Sequence, residues 1–217
     1  MNVRVFGSLL VLAGCVVTLL LVRSCHDDRP SVDEPVVRLR AEVFGSRLPA
    51  GGAKDVSPAE AVGLINASPR DVAGRFLISL VNASSPAEIE RNAELLDSFI
   101  RQISEAPDSL VLGRIAVAVS ADVWASSAAG SAARERMLSL LLYAAKHPAE
   151  RINHAFLMGV SGHTKLLGEP AIRRALEVLV ASPETELNTK LKISARAKTL
   201  LSIKPGASYT PEKVEPK

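Results

Sequence analysis

His147 and His154 stand one double turn of an α-helix apart, on one face, and His163 follows beyond Gly159 and Gly162. Three imidazoles can hold a zinc ion and leave a fourth position open for water or substrate. The acid of an H-E-x-x-H motif is missing here, and the three histidines fall at a helix start, a helix middle and a turn. Capping and solvent-facing roles account for them better, so no metal is expected. Gly159-Val160-Ser161-Gly162-His163 approaches the G-x-S-x-G elbow that presents a serine nucleophile. Histidine replaces the last glycine, and the residues before Ser161 carry helical rather than strand periodicity, so the glycines read as a helix end. Glu88, Glu90, Glu94 and Asp97 would do acid–base work only as a facing pair across a cleft. Interleaved with Arg91 at helical steps, they read as a solvated helix face. A glycine-rich phosphate loop is absent. Neither a catalytic residue nor a cofactor is assigned.

The elements that carry these residues follow one grammar. Ser57-Pro58-Ala59-Glu60 and Ser85-Pro86-Ala87-Glu88 are identical capping boxes: serine caps free N–H groups, proline suits the first helical position, and glutamate reaches back. Ser68-Pro69-Arg70-Asp71 and Ser182-Pro183-Glu184-Thr185 are close variants. His147-Pro148-Ala149-Glu150 and Ala106-Pro107-Asp108 keep the proline and the acid, and Ser131 after Gly130 can open another helix. Between these signals run helical faces: Ile89, Ala93, Leu96, Ile100 and Ile103 form one stripe, and Ile172, Leu176 and Leu179 another. Leu110 to Trp124 and Met137 to Ala145 are apolar almost all round and read as central helices, with Leu112, Ile115, Val119, Leu138, Leu141 and Leu142 in the core. The fold class is all-α, at least about two-thirds helical over the body. Starts near Ser68, Ala106, His147 and Ser182 mark units of about 35–40 residues with two helices each, the length of helical-hairpin repeats. The signature residues of the tetratricopeptide repeat are absent, so the expectation is a helical-hairpin array or an orthogonal multi-helix bundle.

The N-terminus decides location. Val5 to Val22 holds no charge and follows Arg4. As a helix it is roughly 27 Å long, enough to cross a bilayer core of about 30 Å. It is longer than the apolar stretch of a cleaved signal and ends without a small-residue cleavage site, which favours an uncleaved signal-anchor. Leu12-Ala13-Gly14-Cys15 resembles the lipobox of bacterial lipoproteins, and that resemblance implies lipidation of Cys15 as the alternative anchor. The apolar residues that continue to Val22 weigh against it. Residues 1–25 are therefore read as the membrane anchor. The body is expected to be exported, since so short a tail behaves like a signal sequence.

Residues 26–56, rich in proline, glycine and charge, read as a flexible linker. Val37, Leu39, Ala41 and Val43 alternate with polar residues inside it, and the expectation there is an extended arm or a short helix packed on the body. Residues 57–204 are the helical domain and 205–217 a disordered tail. The two cysteines, Cys15 and Cys25, both precede the body, so the body has neither a disulfide nor a thiolate metal site. Lys and Arg number 26 against 23 acidic residues, without a basic block, and aromatics are 4%, which excludes a clustered nucleic-acid surface. Asn66-Ala67-Ser68 and Asn82-Ala83-Ser84 are formal glycosylation triples that read better as helix ends. The functional expectation is a membrane-tethered interaction or scaffold module, an accessory factor of a cell-envelope complex with a protein partner, and the alternative is a helical envelope hydrolase such as a peptidoglycan-cleaving enzyme. Arg151, Arg173 and Arg174, on the later helices, are the candidate partner-binding residues.

Overall fold

In a computed structural model the protein is described at residues 34–44, 56–183 and 185–208. These are 77% helical and contain no strand. Ten α-helices follow one another: α1 (Glu34–Phe44), α2 (Pro58–Ala67), α3 (Arg70–Ser79), α4 (Pro86–Arg101), α5 (Pro107–Ser126), α6 (Ala132–Ala145), α7 (Glu150–Gly162), α8 (Pro170–Val180), α9 (Glu186–Leu191) and α10 (Ile193–Ser202), with a 3-10 turn at Thr164–Gly168 between α7 and α8. The chain divides into two units, Met1–Val37 and Arg38–Lys217. Of the first, only the opening of α1 is among the described residues. The expected span at 5–22, Cys15 and Cys25 lie outside them.

The helix starts differ in their chemistry. Ser57 and Glu60 make both halves of a capping box: Ser57 Oγ accepts from the Glu60 N–H, and Glu60 Oε2 accepts from the Ser57 N–H at 3.0 Å. Ser85 caps α4 in the same way, but the Glu88 carboxylate takes the Ser84 N–H at 2.6 Å instead of that of Ser85. That bond holds Glu88 below the ordinary carboxylate range. Ser131 caps α6 as expected. Ser68 works backwards, donating to Leu64 O to close α2, so α3 opens without a side-chain cap. Ser182 also looks back, to Val178 O, and α9 begins later, behind Thr185. The serine signal there thus ends one helix rather than starting the next.

The stretch read as linker contains α1. Its strand-like alternation misleads because Leu39 and Val43 are also one helical turn apart. Those two are buried, whereas Val37 is 62% exposed and Ala41 exposed. Arg38 and Glu42 pair along the helix, and Phe44 tilts against Phe76 with Arg40 and Arg91 over its ring. The rest of the expected linker lies outside the described residues.

The helices of the second unit pack in two rows. In one, α2 lies on α4, α4 on α6, and α6 on α8; in the other, α3 lies on α5, α5 on α7, and α7 on α10. Helix α5 touches α3, α4, α6 and α7, and it buries Leu112, Ala116, Val117, Val119, Val123 and Trp124. It is the one described helix long and apolar enough to cross a membrane, and half of it is buried inside the protein. A core helix surrounded by neighbours meets that test for its own reason. Leu112, Val119 and Leu141 are buried as expected, while Ile115, Leu138 and Leu142 are half-buried. Residues 205–208, the start of the expected tail, lie against the 3-10 turn, where Thr164 Oγ1 donates to Ala207 O at 2.6 Å. The tail beyond lies outside the described residues.

Candidate functional site

Helices α6 and α8 lie side by side, and a groove of about 330 Å³ runs between them. Its surface comes from a second face of each helix. In α8, Ile172, Ala175, Leu176 and Leu179 point inward and are buried, which leaves Ala171, Arg174 and Val178, at three- and four-residue steps, on the outer side. In α6, Leu140, Leu141 and Ala144 serve the core while Leu142, and Lys146 at the helix C-cap, line the groove. The floor is Leu142, Ala145, Ala171 and Ala175. Val178 stands on its edge and is 63% exposed, more than any other large apolar side chain among the described residues.

The groove has two ionisable groups, Lys146 and Arg174, both cationic and both exposed. Elsewhere most arginines are occupied. Arg70 pairs with Asp108, Arg101 with Asp97 and Arg136 with Glu94. Arg134 lies 3.8 Å over the ring of Trp124 and donates to Ser127 O. Lys146 and Arg174 take part in no ion pair or side-chain hydrogen bond among the described residues.

The three candidate arginines part company. Arg174 lines the groove. Its neighbour Arg173 is half-buried and donates from Nη2 to Leu201 O at 3.0 Å, closing the last turn of α10. Arg151 is exposed in the first turn of α7 and does not line the groove.

The histidines do not meet at one point. His147 accepts the Ala149 N–H on Nδ1 and stands edge-on to Tyr143; burial holds it below the ordinary histidine range. His163 Nε2 donates to Asp122 Oδ1 at 2.6 Å, which ties the end of α7 to α5. Burial, with lesser contributions from Arg196 and Arg114, holds His154 below the ordinary histidine range. Among the described residues no group of three or more His, Cys, Asp or Glu side chains could hold a metal ion. Ser161 sits in the last turn of α7 and donates to Met158 O at 2.8 Å, as a helical serine does. It shares a cleft with His163 and Lys165, but its hydroxyl makes no hydrogen bond to the imidazole. The acidic face of α4 turns out to be structural. Glu90 accepts the Ala133 N–H at the start of α6, and Glu94 pairs with Arg136, so both bind α4 to α6.

Two asparagines missed in the sequence each close a helix. Asn153 is buried and its Nδ2 donates to the carbonyls of Ala144, Ala145 and His147, at 3.0, 3.1 and 3.0 Å, which finishes α6 from within α7. Asn92 does the same for Leu80 O beyond α3. An asparagine inside an apolar helical stripe was the available signal.

Compared with known protein families, with curated proteins and with solved structures, the chain matches none.

Proposed function

We propose that the body is a protein-binding module held at a membrane, an accessory factor of a cell-envelope complex, and that the groove between α6 and α8 receives its partner. The observation that carries this reading is an apolar floor flanked by Lys146 and Arg174, two cations without an ion-pair partner among the described residues. Charge of this kind steers a partner and fixes its register, while the apolar floor supplies the affinity. The partner that fits is an amphipathic segment with small apolar side chains for the floor and a carboxylate for each cation. The uncharged run Val5 to Val22 supports the tether. We read the two rows of alternating helices as a helical-hairpin array rather than an orthogonal bundle, because from α2 to α8 each helix packs on the one two places along.

The test is charge reversal. The full chain with Lys146→Glu and Arg174→Glu, extracted from membranes, should lose the partner that co-purifies with the parent and keep the parent's helical spectrum. Retention of that partner by the doubly reversed protein would refute the assignment of the groove.

A further inference from the structure

A cleft of about 440 Å³ opens where α5 and α7 both end. Sites for small molecules commonly measure about 300–1,000 Å³. Trp124 and Ala125 of α5, Ser161 and Gly162 of α7, and Lys165 of the 3-10 turn line it. A further wall is the strap of residues 206–208, which Thr164 Oγ1 holds by the Ala207 carbonyl. Gly206, at φ +78°, turns the strap past Lys165, whose Cγ would stand 3.9 Å from a Cβ placed there. His163 also lines the cleft, and Asp122 of α5 holds its imidazole. One cleft thus gathers side chains from two helix ends, a turn and the strap that follows α10.

The hydrogen-bonding capacity left over in this cleft is of both kinds. Lys165 takes part in no ion pair or side-chain hydrogen bond among the described residues, and the described lining holds no carboxylate. An ammonium can only donate, and it donates best to an anion. Trp124 is 1% exposed, and its indole N–H has no hydrogen-bond partner, so a second donor in this wall lacks an acceptor. Ser161 spends its hydrogen on Met158 O and has only lone pairs left to offer. The closing carbonyls of an α-helix likewise accept, and they carry partial negative charge. A simple anion would suit Lys165 and be repelled by the helix ends. A cation would suit the helix ends and be repelled by Lys165. A ligand that suits both has a carboxylate on one side and hydroxyl donors on the other.

We infer that this cleft binds a small polyhydroxy acid of the sugar-acid class. Its carboxylate takes Lys165, and its hydroxyls donate to Ser161 Oγ and to the closing carbonyls of α5 and α7. The strap completes the site, which is why Thr164 Oγ1 holds Ala207 against the 3-10 turn at 2.6 Å. This site is separate from the groove between α6 and α8 and stands whether or not that groove binds protein.

The test uses the full chain in detergent micelles. Trp124 is the one tryptophan of the sequence, so its fluorescence reports on the cleft directly, and calorimetry gives the affinity. Glucuronate is the probe. Glucose, which lacks the carboxylate, and acetate, which lacks the hydroxyls, are the comparators. Glucuronate should shift the Trp124 emission saturably and bind about tenfold or more tighter than either comparator, the difference expected of one charge-assisted contact. Lys165→Gln should weaken glucuronate binding by about the same factor. Lys198→Gln, on α10 and outside the cleft, should leave it unchanged. Both lysines are exposed, so both variants should keep the parent's helical spectrum. Absence of a saturable response to glucuronate, a comparator that binds as tightly, or Lys165→Gln and Lys198→Gln variants that bind alike would overturn the proposal.

Discussion

Replacing Gly159 and Gly63 by alanine, one at a time, should move stability in opposite directions. A Cβ on Gly159 would lie 3.0 Å from Ala121 Cβ and 3.9 Å from Val117 O. Carbon atoms are comfortable at about 3.5–4.0 Å, so the shortfall is roughly 0.5–1 Å. Ala121 Cβ is fixed to the backbone of α5 and cannot rotate away, and α5 and α7 must separate to make room. Overpacking of this kind costs about 1–3 kcal/mol, against which alanine returns about 1 kcal/mol of helix propensity, a net loss of about 1 kcal/mol. Gly63 lies inside α2, is exposed, and has nothing within 4 Å of an added Cβ. There the propensity gain stands alone, about 0.5–1 kcal/mol. The two variants should differ by about 2 kcal/mol. At about 2–4 °C per kcal/mol for a chain of this size, their melting temperatures should lie roughly 4–8 °C apart, on either side of the parent. Thermal unfolding followed by circular dichroism, on the chain lacking residues 1–25, measures it. Equal stabilisation by both substitutions would refute the close α5–α7 crossing.

Other perturbations test other parts. Asn153→Ala removes the donor shared by three carbonyls at the end of α6 and should cost about 1–3 kcal/mol in urea unfolding, with Asn153→Asp at least as damaging because it places an acceptor among acceptors. Leu141→Ala, at a fully buried position in α6, should cost about 2–5 kcal/mol in the same assay. His147 and His154 both titrate below the ordinary histidine value in the folded protein, His147 chiefly through burial and His154 through burial and two arginines. The unfolded chain therefore binds protons that the folded one refuses. Their contribution is complete above about pH 6.5 and is lost as the pH falls through the folded values. The urea midpoint should drop from about pH 7.5 to pH 5.5, and less so in a His147→Gln, His154→Gln double variant. Charged residues at Leu12 and Leu19 should release the chain from membranes, and Cys15→Ser should leave it there if the anchor is a helix rather than a lipid.

The sequence disclosed helices wherever the signal was local. A serine, proline and glutamate within four residues specify a helix start through hydrogen bonds among themselves, as at Ser57, and an apolar stripe such as Ile172, Leu176 and Leu179 names its own buried face. Legibility failed where a side chain had two partners to choose from. Ser68 and Ser182 could look forward or back, and tertiary packing sent both hydroxyls back to close the helix before. Leu39 and Val43 satisfy strand and helix spacing equally, and only the body they pack on decides. Arg173 and Arg174 read alike in sequence, yet 100° of helical rotation puts one on the Leu201 carbonyl and the other in the groove. The groove itself joins Leu142 and Lys146 to Arg174 and Val178. No local pattern encodes such sets, because they depend on register between helices.

The central claim is that the face bearing Val178 docks a partner. A photo-reactive residue placed at position 178 of the full chain, in its native membrane, should give one discrete crosslinked species. Lys146→Glu with Arg174→Glu should abolish that species, and the same probe at Ala118, on the other row of helices, should not produce it. Equal crosslinking from both positions, or a product that survives the charge reversal, would contradict the account.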